Sequence, residues 1–402
     1  MQAKPKPAPA PAPPKPAPAP APPKPAPAPS PPSNAPTSAA PSKAPTSAAP
    51  TLAAFALGPA QCSGPLLPQT PAQMIAVTNE IKASFLALIA SYDANPTTAA
   101  TKKSKLFGNA LRLAFHDAGE VLIAAAADKL GPDGCLSPST DNKGLLESTS
   151  AVVSIIEPEW QKFCTRISRA DFWAYYGKLV VEKAAAPEVN IDIPYYYGRK
   201  DATTCDSGAG RLPAASAASF ATTLGFFNTN MGLTNVDAVT LLGAHTLGHV
   251  SPANSGFGLP PATNDQRNSW DGTPDKFDNK YFRDLLNVPW SFDPATTGNN
   301  AHLQDYIDRN GGNQIMLNAD MALAFTLSNL GQLQQVCGGN RNNCARESST
   351  LALINTFTAP TTGNNAFVQQ FAASYVKMVN VGYSYGTVTN GKLGTLTQLN
   401  NN

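Results

Sequence analysis

Two short segments hold the residues whose type and spacing suggest chemistry, and each contains one of the four histidines of the chain. In the first segment, Arg112 precedes His116 by four positions, so the two side chains share one face if the segment is helical. A cation and a base on one face could hold a small polar oxygen compound. Spacing alone favours a plainer arrangement, a surface arginine beside a half-buried histidine.

The second segment places His245 at the end of an apolar helix and before a small, glycine-bounded turn. A histidine in that setting could ligate a metal in a dry pocket, or it could be a core histidine whose ring nitrogens are satisfied by neighbours. His249 follows at the spacing of a zinc-protease helix, but that motif requires a glutamate directly after the first histidine. Thr246 occupies that position, so we discount zinc.

The first 50 residues differ in composition from the rest of the chain. They hold 20 of the 38 prolines, mostly alternating with alanine, and they contain no acidic residue. A segment without large apolar side chains cannot offset its ordering entropy. We expect residues 1–60 to form an extended stalk or linker, residues 61–395 one domain, and residues 396–402 a tail. The tract is either a plain spacer or a cell-wall stalk.

Charge and hydropathy disfavour two classes of partner. The formal net charge is +2, and without the five lysines of the proline-rich tract it is −3. The domain therefore lacks the basic balance of a nucleic-acid-binding protein. No apolar run reaches membrane-spanning length, and none follows Met1 as it would in a signal peptide.

The chain has six cysteines and no CxxC pair, which disfavours structural zinc. An even number of cysteines in a domain beside a proline-rich tract favours disulfides and an oxidising compartment. Cys337 and Cys344 flank a short turn and form the easiest pair to close. We therefore expect an extracellular or cell-wall location, with an organelle as the alternative.

Hydrophobic periodicity predicts a mainly α fold in one domain, because helical spacing recurs along the chain while strand signals are few and short. The segments with that spacing begin at Pro71 and continue at 107–127, 145–156, 171–186, 217–228, 235–242, 280–286, 320–335 and 366–379. His116 lies in the second of these segments, and His245 directly follows the segment 235–242.

Together, the two histidine segments and several other strings resemble the haem peroxidase superfamily of plants, fungi and bacteria, from about residue 72 to residue 385. Its distal motif matches Arg112-x-x-Phe115-His116-Asp117, and its proximal motif matches Gly243–Gly248. Further matches follow in order: Asn142-x-Gly144-Leu145, Ile167-x-x-Ala170-Asp171, Gly198-Arg199-x-Asp201, Gly210-Arg211-Leu212-Pro213, Phe277-Asp278-Asn279-x-Tyr281-Phe282 and Leu317-x-x-Asp320. The resemblance implies a two-lobed, mainly α fold with haem b between distal and proximal helices.

The resemblance also implies roles for five residues. His116 would take a proton from hydrogen peroxide and return it to the departing oxygen, and Arg112 would stabilise the negative charge that builds there. Asn142 would accept a hydrogen bond from the far ring nitrogen of His116. His245 would ligate the iron, and Asp320 would bond its second ring nitrogen and make the imidazole electron-rich.

Two calcium sites are implied as well, because calcium requires hard oxygen ligands. The proximal set consists of Thr246, Asp271, Thr273, Asp278 and the carbonyl of Lys276. The distal set consists of Asp117, Gly131 and Asp133. Here Cys135 replaces the serine of the family pattern, and a thiol is a poor calcium ligand. A disulfide, with Cys205 as one candidate partner, is the alternative role of Cys135.

Several positions bear on the reducing substrate. Trp270 stands where intracellular members carry a proximal tryptophan that can hold a radical, although it could also be a packing residue. Phe115 stands where those members have a distal tryptophan, and Asn254 replaces their ascorbate-binding arginine. The carboxylates of manganese peroxidases are replaced by Lys105, Asn109 and Ser251, and the surface tryptophan of lignin peroxidases is replaced by Thr240.

Three functional interpretations are open at this point. The complete set of five residues favours a peroxidase that uses hydrogen peroxide and a small phenolic or other one-electron donor. The proline-rich tract raises a second interpretation, a cell-wall or matrix protein whose haem domain is vestigial, which predicts that at least one catalytic residue is lost. Haem sensing or storage is the third, and it would not need Arg112 and His116 together.

Overall fold

The structure is a computed structural model that describes residues 57–206, 208–217, 219–258, 268–293, 303–308, 314–327 and 344–400. Helices dominate these residues and the strands are short, which confirms the predicted mainly α fold. Most of the predicted stalk lies outside the described residues, as do His302 and Cys337 of the predicted Cys337–Cys344 pair. The domain boundaries at residues 60 and 395 remain predictions.

Two long helices open the described part of the chain, and shorter ones follow. The helices are α1 (Pro71–Asp93), α2 (Pro96–Gly119), α3 (Glu157–Gln161), α4 (Arg169–Ala184), α5 (Phe220–Met231), α6 (Asn235–Leu242), α7 (Pro252–Ser255), α8 (Lys280–Asn287), α9 (Asn318–Ala324), α10 (Leu351–Phe357) and α11 (Gly363–Val379). Short 3-10 turns span Thr140–Asn142 and Gly243–Thr246, and a π-helical turn spans Val152–Ile156.

The strands form small sheets around the helices. They are β1 (Tyr195–Tyr197), β2 (Trp290–Asp293), β3 (Asp305–Asp308), β4 (Ile315–Met316), β5 (Tyr383–Ser384), β6 (Gly394–Thr395) and β7 (Thr397–Leu399). Strands β2, β3 and β4 pair antiparallel in that order, and β5 pairs with β6 in parallel. β1 and β7 are antiparallel, with Tyr195 opposite Leu399. This last pairing draws residues of the predicted tail into the fold, and Leu399 is buried.

Local sequence explains where the first two helices begin. Thr70 caps α1 in a capping box with Gln73, and Pro71 takes the first helical position. Pro96 takes the same position in α2, which therefore starts well before residue 107, where apolar spacing had placed it. α2 ends at Gly119 instead of residue 127 because the chain turns at Glu120, whose side chain reaches inward.

Helix α1 is the one helix in the described ranges that is long and apolar enough to cross a membrane, a feature that the search for apolar runs had not detected. Its apolar side chains, including Val77, Ile81 and Phe85, are buried in the hydrophobic core. The length and apolar character of α1 are explained by this packing.

The helix that carries Arg112 and His116 is clamped between neighbours. α2 packs against α4 and also contacts α1 and α11. Phe85 of α1 meets Tyr176 of α4 edge to face, with ring centroids 5.3 Å apart. From α11, Tyr375 donates a hydrogen bond of 2.9 Å to the carbonyl of Ala174, and Gly177 leaves room for the hydroxyl to approach. Phe107 of α2 lies beside Phe85, with ring centroids 6.4 Å apart, so α2 packs against the same aromatic side chains.

A buried ion pair joins the start of α4 to the end of α11. The Arg199 Nη1 atom lies 2.7 Å from Asp171 Oδ1, and both side chains are almost inaccessible. Arg199 also donates to the Val379 carbonyl at 3.0 Å and to the Asn380 side chain. The neighbouring Asp201 accepts the first backbone amides of α4 at 2.9 Å. These strings, which helped to reveal the family resemblance, therefore serve the framework of the fold.

Two disulfides join segments that are distant in sequence. Cys62 pairs with Cys164 across 102 residues, and Cys135 pairs with Cys205 across 70. The second is the pairing that the replacement of serine by Cys135 had raised as an alternative to calcium binding.

The buried Arg199–Asp171 pair leads to a stability prediction. Arg199→Ala leaves the Asp171 carboxylate buried without its counter-charge, so we expect the free energy of unfolding to fall by about 3–5 kcal/mol. Arg166→Ala, which breaks a half-exposed pair with Glu80, is the matched control and should cost about 1 kcal/mol or less. Urea unfolding followed by circular dichroism measures both. Equal losses in the two variants would show that burial does not distinguish the pairs.

Candidate active site

The distal residues Arg112 and His116 meet on one face of α2. The Arg112 Nε atom donates to His116 Nε2 at 3.1 Å. Its Nη1 and Nη2 atoms donate to the carbonyls of Lys143 and Asp141, both at 2.9 Å. The guanidinium is thus fixed at Nη1 and Nη2 by the 3-10 turn and the residue that follows it, and its Nε–H points at His116.

A chain of hydrogen bonds holds the other side of His116. Its Nδ1 atom lies 2.7 Å from Asn142 Oδ1, and Asn142 Nδ2 donates to Glu120 Oε1 at 2.8 Å. Glu120 in turn accepts the amide and hydroxyl of Ser137, at 2.9 and 2.7 Å. Because the Asn142 oxygen can only accept, Nδ1 carries the proton and Nε2 presents a lone pair.

The electrostatics of the pair suit an acid–base role. Burial and the adjacent charge of Arg112 hold the pKa of His116 well below its usual value, so the ring is neutral at physiological pH. Burial also lowers the pKa of Arg112, to about 10, which leaves the guanidinium charged. A neutral base therefore stands beside a fixed cation.

The proximal histidine, His245, lies in the 3-10 turn that follows α6. Gly243 opens this turn against the rings of Phe367 and Phe282, where a Cβ atom would lie 2.5 and 2.7 Å from ring carbons. The His245 Nδ1 atom bonds to Asp320 Oδ1 at 2.8 Å. The ring remains 30% accessible although Asp320 is fully buried, so its Nε2 edge borders open space.

Asp320 is the most heavily bonded group on this side. Besides His245, the carboxylate accepts hydrogen bonds from Tyr281 OH at 2.6 Å, Trp270 Nε1 at 3.1 Å and the Leu317 amide at 2.9 Å. Burial alone would raise the pKa of Asp320, but His245, Tyr281 and the amide together lower it. The carboxylate is therefore an anion with four donors, about as many as its oxygens can accept.

Aromatic rings flank both histidines. Trp270 stacks on His245, with centroids 4.2 Å apart and planes inclined by 19°. On the distal side, Phe115 lies edge-on to His116 at 5.9 Å and contacts Phe226 and Phe227. The aromatic residues confine each imidazole without competing for its nitrogens.

Direct backbone contact links the distal helix to the turn after His245. A Cβ atom on Gly108 would lie 2.8 Å from the Gly248 Cα, and Gly248 has a positive φ of 86°. Ser104 Oγ also lies 2.9 Å from His249 Nδ1. Gly108, Arg112 and His116 follow each other at four-residue intervals, so the face of α2 that touches the proximal turn also carries the distal pair. His249 therefore serves this link.

The predicted proximal calcium ligands are brought together in part. Thr246 Oγ1 donates to Asp271 Oδ2 at 2.6 Å and lies 3.4 Å from the Lys276 carbonyl. The amide of Thr273 donates to Asp271 Oδ1 at 2.8 Å. Burial and the nearby carboxylates, Asp278 first, raise the pKa of Asp271 to about 7. An oxygen-rich, negatively charged cluster results, although in the described ranges no three His, Cys, Asp or Glu side chains converge as in a metal site.

The predicted distal calcium ligands form a different arrangement. Asp117 Oδ1 accepts the backbone amides of Asp133, Gly134 and Cys135 at 3.1–3.3 Å. The Gly131 carbonyl is used by the Asp133 amide at 2.8 Å. Burial raises the pKa values of both carboxyls, and repulsion adds to it, from Asp133 for Asp117 and from Glu120 and Asp201 for Asp133, whose pKa reaches about 8. Since Cys135 is in a disulfide, it offers no ligand in place of the missing serine.

The positions that bear on the donor lie in different parts of the fold. Asn254 in α7 lies against Gly144, where a Cβ would meet Asn254 Nδ2 at 2.8 Å and Arg112 Nη1 at 3.3 Å. Lys143 Nζ donates to the Ala253 carbonyl at 2.9 Å. Lys105 and Ser251 are exposed and Asn109 is half-buried. Thr240 is buried and bonds its hydroxyl to the Val236 carbonyl at 2.6 Å, so position 240 offers no surface group.

Sequence reasoning missed two residues of the site. Glu120 lies four positions after His116, and that spacing on one helix was the available signal. Tyr281 was noted only as part of a matching string, and its contact with Asp320 spans 39 residues, which no local pattern reveals.

The donor set fits haem. His245 offers an Nε2 atom next to open space, and its Nδ1 is bonded to a buried carboxylate, as is usual for metal-ligating histidines. His116 and Arg112 offer a base and a cation, and neither is consumed by a competing ion pair.

Comparison with known proteins agrees with this arrangement. The family model described as peroxidase matches residues 87–339, well over half of the chain. The probable L-ascorbate peroxidase 3, peroxisomal, of Oryza sativa subsp. japonica is 31% identical over 54% of this chain and 65% of its own length. The cytosolic L-ascorbate peroxidase 1 of Oryza sativa subsp. indica is 34% identical over 44% of this chain and 64% of its own. The chain thus spans just under two thirds of each relative.

The compartments named for these relatives contradict one expectation. They are peroxisomal and cytosolic, and a further relative, the probable L-ascorbate peroxidase 5 of Oryza sativa subsp. japonica, is chloroplastic. The expected extracellular or cell-wall location is therefore wrong, and cell-wall association through the proline-rich tract has no support. Composition misled because a Pro-Ala tract avoids a packed core in any compartment, and disulfides are only a statistical guide to location.

Motifs, helical framework and family match point the same way. The distal string lies in α2, the proximal string begins in the turn that follows α6, and the matched region contains Arg112, His116, Asn142, His245 and Asp320. The chain belongs to the peroxidase family, the haem peroxidases of plant type.

Proposed function

We propose that this protein reduces hydrogen peroxide to water with haem b and oxidises a small one-electron donor. One observation carries the proposal: each histidine is bonded through Nδ1, His116 to Asn142 and His245 to Asp320, so that each Nε2 atom carries a lone pair. The lone pair of His116 faces the Arg112 Nε–H at 3.1 Å, which places the base next to the cation. A vestigial haem domain predicts the loss of a catalytic residue, and all five are present. Nothing else in the described residues favours a structural role.

The distal residues would manage the proton of the peroxide. His116 Nε2, kept neutral by burial, accepts a proton from one oxygen of the peroxide. It then delivers this proton to the other oxygen, which leaves as water. Arg112 stabilises the negative charge that develops on the departing oxygen, because its guanidinium is already held by the carbonyls of Lys143 and Asp141. Asn142 keeps the His116 proton on Nδ1 throughout.

The proximal residues would hold the cofactor and set its electronics. Haem bound through His245 Nε2 would supply the iron that binds the peroxide and the electrons that reduce it. Asp320 draws the Nδ1 proton of His245 toward itself and so makes the imidazole a stronger donor. Trp270, stacked on the ring and bonded to the same carboxylate, is placed to be oxidised, and we propose it as a second redox group.

Two classes of donor compete for the reducing role. We propose small phenolic or other aromatic donors, because Asn254 replaces the arginine expected for ascorbate and its amide rests against Gly144. The names of the relatives favour ascorbate instead. Steady-state rates with a phenol and with ascorbate at equal peroxide separate the two, since a higher kcat/KM for ascorbate would contradict the phenolic assignment.

We also propose an organellar or other intracellular location, because the relatives are named for the peroxisome, cytosol and chloroplast. A fluorescent fusion to the full chain tests this, and accumulation outside the cell would contradict it.

One calcium ion is proposed for the proximal cluster of Thr246, Asp271, Thr273, Lys276 and Asp278. A divalent cation would offset the repulsion between buried Asp271 and half-buried Asp278, which adds to the effect of burial in raising the pKa of Asp271. The proposal is restricted to this cluster, because on the distal side Cys135 is in a disulfide and the Gly131 carbonyl already accepts the Asp133 amide.

The first functional prediction concerns the distal pair. We expect His116→Ala and Arg112→Ala each to lower the second-order rate constant with hydrogen peroxide by about 100-fold or more, since one removes the base and the other the charge-stabilising donor. Stopped-flow absorbance of the haem band measures the rate. Lys105→Ala, on an exposed position of the same helix, is the control and should react normally. A His116→Ala variant that reacts at the wild-type rate would refute the proposed role.

A second prediction concerns Tyr281, whose hydroxyl shares Asp320 Oδ1 with His245. Tyr281→Phe removes one of the two donors, so the remaining bond to His245 should strengthen and the iron should become harder to reduce. Redox titration should give a more negative midpoint potential with haem content unchanged. Tyr375→Phe, which loses a buried hydroxyl far from this carboxylate, is the control. Equal potentials for Tyr281→Phe and wild type would remove Tyr281 from the account.

The third prediction tests the calcium ion. Calcium at 100 times its dissociation constant should stabilise the native protein by about 2.7 kcal/mol, so chelation should lower the Tm and added calcium should restore it. In Asp271→Asn the Tm should not respond to calcium. Magnesium serves as the control ion, because it favours smaller octahedral sites. A wild-type Tm that is indifferent to calcium would rule out the site.

A further inference from the structure

The Cys135–Cys205 disulfide lies close to residues that contact the partners of His116 and Arg112. It joins two segments, the loop 131–137 and the segment that holds Cys205, Asp206 and Gly208–Gly210. The Cα atoms of the two cysteines are 5.2 Å apart. Cys135 is two residues before Ser137, which lies in the first segment and contacts the second. The disulfide therefore joins the two segments close to these contacts.

One line of contacts runs from these segments to His116. The Ser137 hydroxyl donates its one hydrogen to Glu120 Oε2 at 2.7 Å and accepts the Gly208 amide, and its Oγ atom also lies in close contact with the Asp206 carbonyl oxygen. A Cβ on Gly208 would lie 2.8 Å from Glu120 Oε2, so this loop presses directly on the carboxylate. Glu120 orients Asn142, and Asn142 orients His116, at 2.8 and 2.7 Å.

A second line of contacts runs to Arg112. The amide of Gly210 donates to Asp141 Oδ2 at 2.9 Å, and the Asp141 carbonyl accepts Arg112 Nη2 at 2.9 Å. The loop that the disulfide tethers therefore supports both distal side chains, one through Glu120 and one through Asp141.

The two sulfur atoms differ in access. Cys135 is 3% exposed, whereas Cys205 is half-buried and lies between exposed residues, Thr204 and Asp206. An attacking thiolate can therefore approach Cys205 more easily than Cys135.

We propose that Cys135–Cys205 is a thiol-exchange site through which a dithiol reductant controls the distal residues His116 and Arg112. The first thiolate of the dithiol attacks Cys205 Sγ, the Cys135–Cys205 bond breaks, and Cys135 leaves as a thiolate that takes up a proton. The second thiol then attacks the mixed disulfide and releases Cys205 as a thiol. Two electrons and two protons pass to the protein, and the dithiol becomes a cyclic disulfide.

Reduction would separate the segment of Cys205 from the loop 131–137. The contacts that support His116 through Glu120 and Arg112 through Asp141 would then weaken. A small displacement of His116 or Arg112 is expected to slow the reaction with peroxide about tenfold or more, since a shift of about 1 Å in a catalytic group can cost about 100-fold. The rate readout rests on the proposed peroxidase function, whereas the structural readout does not.

The test compares two double variants of the full-length holoprotein. Cys135→Ala/Cys205→Ala removes the proposed switch. Cys62→Ala/Cys164→Ala is the matched control, because it also removes a disulfide between one half-buried and one buried cysteine. Alanine replaces Cys135 instead of serine, because a serine there would supply the hydroxyl of the calcium pattern. Each protein is measured oxidised, and again after treatment with dithiothreitol and its removal without oxygen.

Two readouts are taken. The first is the stopped-flow rate with peroxide, and the second is hydrogen–deuterium exchange at the amides of residues 133–143. We expect wild type and control to lose rate and gain exchange on reduction, and to recover both on reoxidation. The Cys135→Ala/Cys205→Ala variant should be slow and fast-exchanging from the start and should not respond to dithiothreitol.

Either of two results would overturn the inference: unchanged exchange in the Cys135→Ala/Cys205→Ala variant, or a response of that variant to dithiothreitol equal to that of wild type. If every protein, oxidised wild type included, fails to react with peroxide, the proposed function is wrong. The exchange measurement still decides whether the disulfide holds residues 133–143 in that case.

Discussion

The whole site depends on one constraint, that each of the two imidazoles must have its Nδ1 atom bonded so that its Nε2 atom carries the lone pair. His116 meets it with the amide oxygen of Asn142, and His245 meets it with the carboxylate of Asp320. The partner decides the character of each ring. An amide leaves His116 a neutral base, whereas a carboxylate makes His245 an electron-rich ligand. A hydrogen bond at Nδ1 is thus common to both histidines, but its acceptor differs and so does the chemical role of each ring.

The helical framework holds the two histidines and their Nδ1 partners in fixed relative positions. α2 carries Arg112 and His116, and its face touches the turn after His245 through Gly108 and Gly248, where no side chain fits. Packing of α2 against α4, and the buried pair of Arg199 with Asp171, fix the helix from the other side. Rigid helices therefore position the distal pair, while loops supply the groups that orient it.

The sequence indicated the residues to which the family resemblance gives a role, including Asn142 and Asp320, whose partners lie 26 and 75 residues away. The strings around His116 and His245 indicated the family and the mainly α class, which the family match and the helices confirm. Glu120 and Tyr281 were missed because the resemblance gave them no role, and local spacing does not reveal partners 22 and 39 residues away. The start of α2 was misplaced because a proline at the first helical position outweighs apolar spacing. Location failed for another reason, since composition does not encode a compartment.

Haem ligation by His245 can be tested with a variant that lacks the imidazole ring and is given imidazole in solution. His245→Gly should bind haem with altered absorption, and added imidazole, entering the space left by the ring, should restore the wild-type spectrum. Asp320→Asn in the same background should weaken this rescue, because imidazole would lose its carboxylate partner. A His245→Gly variant whose spectrum matches wild type without imidazole would contradict the account.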